Sequence, residues 1–224
     1  TMDQIISLTK EHGNIEASVH FFLRHQISNN AKILDIGCRY GSLIYNLYRL
    51  GYHDVHGLDV NQQAIERGKQ SYREIAPNLA WYNGQQIPCD DQSVDVVLMF
   101  DVIEHIPAVK KYLRDEVNRI LKTGGLLLFQ TPNKYINIPW EIFSQKSLTR
   151  WKRYHCSLQT KGTLKNLLQE AGFHDVNIGK FTILTDHNKN KAKKKLGLPG
   201  IIMLHILNAA PLPVYPNFWG SARK

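Results

Sequence analysis

Short apolar runs bounded by turn residues recur along this chain, and between them lie stretches with the three- and four-residue apolar spacing of an amphipathic helix. "NIEASVHFFLRHQI" (14–27) places Ile15, Val19, Phe22 and Leu23, or Phe21, along one side and predicts a helix. Ala31 to Leu34 read as a strand that ends in "DIGCRYG" (35–41), and "SLIYNLYRLG" then reads as a helix. "DVHGLDV" (54–60) predicts a short strand ending in Asp59, followed by a helix over 61–75 with Asn61 as its N-cap. A third strand is expected over "LAWY" (79–82), and "VDVVLMF" (94–100) is apolar throughout, as suits a central parallel strand. "AVKKYLRDEVNRIL" (108–121) predicts an amphipathic helix, and "TGGLLLFQTPN" (123–133) a glycine turn, a buried strand and a proline stop.

Beyond this point the rhythm breaks. Residues 134–159 are aromatic and basic without clear periodicity. A helix stopped by Gly172 is expected over 160–173, and a strand over 174–184. The lysine run "HNKNKAKKK" (187–195) precedes an apolar, helix-like segment (196–210), and "VYPNFWGSARK" supplies one last edge strand. Strands alternating with helices predict a doubly wound, mostly parallel α/β sheet with helices on both faces. Ligands of such sheets bind beyond the carboxyl ends of the strands, where Asp35, Asp59, Asn83 and Asp101 all fall. The 224 residues are expected to form one domain. Within it, 1–30 would be an N-terminal helical cap, 31–133 the cofactor-binding core, and 134–159 and 185–212 substrate-side or membrane-facing insertions.

Charge sharpens this picture. Residues 134–224 hold 15 of the 28 basic residues and only 4 of the 19 acidic ones, so the basic excess lies there. Solvated surface lysines account for such a bias, and so does a surface for lipid headgroups, RNA or a phosphorylated substrate. No apolar run approaches the ~20 residues that span a bilayer, and "TMDQIISLTKEHGN" has no signal-peptide pattern. Cys38, Cys89 and Cys156 are odd in number and widely spaced, which predicts a reducing, cytoplasmic setting and no disulfide framework.

The turn after the first strand is a ligand cradle of a particular kind. Its spacing, Gly37-x-x-x-Gly41, departs from the G-x-G-x-x-G of dinucleotide sites, and Asp35 at its mouth would repel a pyrophosphate. A positively charged, phosphate-free cofactor fits better, and S-adenosylmethionine is such a molecule. Turn N–H groups would take its carboxylate, Asp35 would favour its cationic end, and Asp59 would accept both ribose hydroxyls.

"ILDIGCRYG", "GLDVN", "WYNGQQIPCDDQSVDVVLMFDVIEHI", "LKTGGLLLFQTPN" and "LLQEAGF" resemble, in order and spacing over about residues 30–180, the motifs of class I S-adenosylmethionine-dependent methyltransferases. The branch most similar is that of the ubiquinone-biosynthesis O-methyltransferases. The resemblance implies a seven-stranded sheet with a reversed last hairpin. It also implies cofactor contacts from Gly37, Cys38, Arg39, Gly41 and Val60, adenine-side contacts from Asn83, Gly84 and Gln85, and Phe100 and Asp101 beside the methyl-donating end. Arg39 stands where the family usually has glycine, so it must keep an allowed φ and turn its side chain away. Asn83 replaces a frequent acid and would accept the adenine amino group through its carbonyl oxygen. Thr123 replaces a frequent proline, a structural change only.

Asp101, Glu104 and His105 stand at i, i+3 and i+4, so a helical turn there would put all three on one side. His105 is the first candidate for a general base, with Glu104 and His155 beside it; the bland alternative is a helix-start pairing of Glu104 with a packed His105. No metal is expected. The resemblance to the ubiquinone branch and to small-RNA terminal 2′-O-methyltransferases names Asp101, Glu104, His105 and His155 as the ligands should Mg²⁺ or Mn²⁺ be used. Tyr135, Trp140, Phe143, Trp151 and Tyr154 would line an acceptor pocket, as that segment commonly does in the family, or else form a satellite core. His20, Phe21 and Phe22 would close the pocket from above or simply pack. The lysine cluster and the apolar 196–210 would lie in a bilayer interface, or form a core helix behind a solvated loop.

The expectation is therefore O-methylation of a small or lipid-linked acceptor, with S-adenosylhomocysteine as the other product, by an enzyme that is cytoplasmic or peripheral at a membrane. An RNA methyltransferase using a divalent metal is one rival reading. A non-catalytic binding module on a degenerate fold is another.

Overall fold

The structure, a computed structural model, describes residues 14–149, 152 and 155–224, apart from the side chains at 144, 145 and 187. Its centre is a seven-stranded sheet in the order β3-β2-β1-β4-β5-β7-β6. The strands are β1 (Ile33–Ile36), β2 (Val55–Asp59), β3 (Leu79–Trp81), β4 (Val94–Phe100), β5 (Leu121–Pro132), β6 (His174–Gly179) and β7 (Asn217–Arg223). The pairings of β1 with β2 and β4, of β2 with β3 and of β4 with β5 are parallel. β7 alone runs antiparallel, to both β5 and β6.

The apolar strands are apolar on both faces because both faces are covered. Val97, Met99, Leu127 and Phe129 pack with Leu113, Val117, Leu164 and Leu168 in one core. Val96, Leu98 and Leu128 pack in the other, with Phe22, Ile44, Leu47 and Ile65 from α1 (Ile15–Leu23), α2 (Ser42–Arg49) and α3 (Gln62–Ser71). Asn61 caps α3 as expected, its Oδ1 accepting the Ala64 N–H at 3.0 Å.

Elsewhere the elements differ from expectation. α3 ends at Ser71, and a 3-10 turn over Arg73–Asn78 with Pro77 inside it completes the stretch to β3. The 108–121 helix is built of α4 (Val109–Tyr112), a π-helical turn (Leu113–Val117) and α5 (Asn118–Ile120). Residues expected to be irregular form α6 (Lys134–Gln145), which continues through Pro139 in its interior, a residue that ordinarily breaks a helix. Asn133 starts α6 by accepting the Tyr135 N–H at 3.1 Å. α7 (Lys161–Glu170) opens on a reciprocal Thr160–Thr163 capping box. α8 (Asp186–Ala209) takes in both the lysine run and the apolar segment, with a break at Gly197 (φ 64, ψ −144).

β7 is not an edge strand. It enters between β5 and β6, because the reversed hairpin places the last strand beside β5 and leaves β6 outside. β7 starts with Asn217 opposite Pro132 and Trp219 opposite Gly179. The β6–β7 connection therefore leaves and re-enters at the carboxyl edge of the parallel strands. Among the described residues no helix is long and apolar enough to cross a membrane. Trp151, Tyr154 and the first 13 residues of the expected N-terminal cap lie outside the described residues.

Candidate functional site

The turn after β1 is held from below by β2. Gly37 and Cys38 both donate their N–H to the Leu58 carbonyl (2.7 and 3.1 Å), Arg39 donates its N–H to Asp59 Oδ2 (2.8 Å), and Gly41 donates to the Cys38 carbonyl (2.8 Å). Arg39 adopts φ 54, between Gly37 and Gly41 at φ 79 each. It thus takes the left-handed conformation a glycine would take, at a cost of roughly 1–2 kcal/mol, and does not avoid it. Its side chain does turn outward: the guanidinium lies 5.1 Å from the Tyr40 ring centre, with Arg67 on the same ring at 5.5 Å. Since these four N–H groups are engaged internally, a ligand carboxylate is left with the first N–H groups of α2. Its cap, Gly41, offers no side-chain bond of its own.

Asp35 is buried, 4% exposed, at the heart of β1. Burial, and then the charge of Asp59, push its carboxyl well above the usual range. Among the described residues no basic group offsets that shift, so a cationic ligand would find an uncompensated carboxyl. Asp59 accepts from Arg39 and, through Oδ1, from Asn61 N–H at 2.7 Å. Each oxygen keeps a second lone pair for a ribose hydroxyl. The Cys38 thiol is raised by burial and by Asp35 and Asp59, and so is unreactive.

Val60 and Trp81 are both more than half exposed, and Trp81 Nε1 donates to the Val60 carbonyl at 3.0 Å. They form an apolar shelf at the ends of β2 and β3. Gly84 (φ 77) lies against it, since a Cβ there would stand 3.0 Å from Val60 Cγ1. Asn83 turns its Oδ1 into its own loop, accepting from Gln85 and Gln86 N–H at 2.9 and 3.1 Å. Both lone pairs expected to serve an adenine amino group are thus already engaged.

After β4 the chain makes a sharp turn at Asp101, φ 56, whose N–H donates to the Gln130 carbonyl at 3.0 Å. A 3-10 turn over Ile103–His105 follows. The three candidates do not share one side: Glu104 is 1% exposed, whereas Asp101 and His105 are exposed. Glu104 Oε2 accepts from Thr131 Oγ1 at 3.0 Å, and its Oε1 lies 3.8 Å from His105 Nε2. Burial and the charge of Asp101 push the Glu104 carboxyl up to about 8.

His155 joins this group from the far side. Its ring centre is 5.1 Å from that of His105, and its Nδ1 faces Asn137 Oδ1 at 3.1 Å and Glu141 Oε1 at 3.9 Å. Burial and the neighbouring His105 charge lower its pKa, opposed by Glu141. Glu104, His105 and His155 each offer a ligand atom, all within 4.8 Å of one another; Asp101 is not in this group.

Phe21 and Phe22 are core residues, Phe22 packed on Tyr52 at 5.0 Å and Phe21 on Trp219 at 5.0 Å. His20 instead lines a cavity of about 710 Å³ with Arg24, Lys180, Phe181 and Tyr215, none of which belongs to the turn or to the histidine pair. Trp81, Thr131, Asn137 and Glu141 were not among the sequence candidates. Trp81 had one signal, an indole at the carboxyl end of a strand; Asn137 and Glu141 had none without α6.

A family model described as "methyltransferase domain" matches residues 1–178. A Mycobacterium tuberculosis protein described as a probable S-adenosylmethionine-dependent methyltransferase is 29% identical over 184 residues, 77% of this chain; the match spans only 63% of that relative. The ubiquinone biosynthesis O-methyltransferase of Maricaulis maris is 34% identical over 106 residues, 46% of this chain and 41% of that protein. The crystal structure of an S-adenosylmethionine-dependent methyltransferase from Mesorhizobium loti superposes with a TM-score of 0.68 at 16% identity, covering 94% of this chain and all of the other.

Proposed function

We propose, from the premise that this chain belongs to the class I S-adenosylmethionine-dependent methyltransferases, that it methylates an oxygen of a small, lipid-like acceptor, leaving S-adenosylhomocysteine. The observation that carries the cofactor is Asp35, a buried carboxyl beside Asp59 that no basic group among the described residues offsets. The residues fit the cofactor's other parts as well. Asp59 has lone pairs for the ribose, Val60 and Trp81 make a shelf for the adenine, and the first turn of α2 is open to the carboxylate.

When bound, the cofactor supplies a methyl group already activated for displacement. The chain's work is then to orient the acceptor and move one proton. With its proton on Nδ1, donated to Asn137 Oδ1, His155 keeps Nε2 bare, and its lowered pKa holds it neutral. His155 takes the acceptor hydroxyl's proton, and His105 is positioned to relay it. Glu104, tied to Thr131, holds the 3-10 turn in place. The lipid-like acceptor draws support from the quinone-pathway relative and from the exposed Tyr135, Trp140 and Phe143 on α6. Calorimetric titration of S-adenosylmethionine into the protein tests the reading: saturable heat that Asp35→Asn abolishes is expected, and no heat with the unaltered protein overturns it.

The clustering of Glu104, His105 and His155 favours one second reading, a divalent cation held by a carboxylate and two imidazoles. Such an ion would lower the pKa of a hydroxyl close to it. Titration with Mn²⁺ followed by its paramagnetic resonance distinguishes the two: immobilised Mn²⁺ that His155→Ala releases supports the ion, and free Mn²⁺ throughout supports His155 as the base.

A further inference from the structure

Two antiparallel neighbours such as β6 and β7 can be joined by a hairpin of two to five residues. Here residues 180–216 intervene, and α8 accounts for 24 of them. Because the connection leaves and re-enters at the carboxyl edge, it rises on the same side as Asp35, Asp59 and His105.

α8 is divided by its break at Gly197 into two halves of opposite character. The first carries Lys189, Lys191, Lys193, Lys194 and Lys195 against one acid, Asp186. The second has no charged residue from Leu196 to Ala209, yet Leu198 is 68% and Ile206 66% exposed, and Ile202 and Met203 are exposed as well. A core helix would bury these side chains. A second apolar surface stands on the same edge: α6, which follows β5, exposes Tyr135, Trp140 and Phe143, aromatic types enriched at membrane–water interfaces. Asn133 joins the two segments, donating through Nδ2 to the carbonyls of Pro213 and Tyr215 at 2.9 Å each, just beyond α8.

We propose that the β6–β7 connection docks this protein on an anionic lipid bilayer. The lysine half of α8 lies among the headgroups, and the apolar half, with the aromatics of α6, lies at the acyl boundary. Charge selects the occupant: five lysines ask for an anionic surface, and the uncharged stretch beside them gives nucleic acid nothing to hold. The carboxyl edge then faces the lipid. The inference rests on α6 and α8 and on no residue assigned to the cofactor or to proton transfer.

Flotation of the whole chain with vesicles tests it. Binding is expected to vesicles of phosphatidylcholine mixed with phosphatidylglycerol, to weaken with salt, and to be absent with phosphatidylcholine alone. Lys193→Gln and Lys194→Gln should each lower the partition coefficient about fivefold. Ile202→Ser with Ile206→Ser should abolish binding, while S-adenosylmethionine titration on the same samples stays unchanged and shows that they are folded. Equal binding to both vesicle types overturns the proposal. So does failure of the unaltered protein to float while it binds single-stranded RNA or self-associates through Ile202 and Ile206. Failure to float with intact cofactor binding refutes docking and leaves the methyltransferase reading standing.

Discussion

Replacing Gly37 by alanine should damage this protein twice over, and the two effects can be measured apart. Gly37 sits at φ 79, and a Cβ there would stand 2.5 Å from Val102 Cγ2. The backbone conformation alone costs a non-glycine residue roughly 1–2 kcal/mol. The overlap with Val102 adds about 1–3 kcal/mol, the usual range for an extra methyl forced into packed surroundings. Gly37→Ala is therefore expected to lose roughly 2–5 kcal/mol in urea denaturation, with an unchanged slope. Val102→Ala removes the methyl that would be struck. In that background Gly37→Ala should cost only the backbone part, giving a coupling of about 1–3 kcal/mol across the double-mutant cycle. Val102 lies between Asp101 and the turn that holds Glu104 and His105. The single variant should thus also weaken S-adenosylmethionine binding, and the double variant recover part of it. Strict additivity of the two substitutions would refute the reasoning.

Three other outcomes are expected. Asp35 is raised by burial and Asp59, so a cationic cofactor should lower it; binding then releases protons and strengthens as pH rises, and calorimetry in buffers of different ionisation heat should show this lost in Asp35→Asn. His155→Ala should slow turnover by about 10²-fold or more, and the acidic limb of the unaltered enzyme's pH–rate profile, set below the ordinary histidine range, should vanish with it. Glu104, raised from an ordinary 4.5 to about 8, keeps its proton longer folded than unfolded. Stability should therefore fall as pH climbs between those values, by up to about 5 kcal/mol; Glu104→Gln should flatten that fall in denaturation at pH ~5 and ~8, and a parallel fall would contradict it.

The parallel half of the sheet was legible because β1, β2 and β4 are short apolar runs closed by an acid or a glycine, and helices with clear stripes follow β1 and β2. Asp35, Asp59 and the glycine turn could be placed for the same reason: the two acids lie in the last two residues of β1 and β2, and the turn follows β1 directly. Most of what the sequence hid lies beyond β5, and the rest in the turn after β4. Pro139 stands inside α6 and reads as a helix breaker, so the helix and the facing pair Asn137 and Glu141 went unseen. The i, i+3, i+4 spacing of Asp101, Glu104 and His105 presupposed an α-turn. The left-handed Asp101 and a three-residue 3-10 turn give another arrangement, in which Glu104 points inward. That His155 lies beside His105 depends on contacts across 50 residues, which no local pattern encodes.

The place of β7 has a consequence for how the molecule is made. Its partner residues in β5, Leu126–Pro132, are synthesised some 90 residues before it, and Gly179 of β6 some 40 before. Until residues 217–223 emerge from the ribosome, the ladder cannot close, and two strands wait with their amides unsatisfied. Such a nascent chain offers open edges to its neighbours. Losing those seven residues would remove the interior strand that joins β6 to the rest of the sheet, and translation that stalls just short of them should yield aggregate.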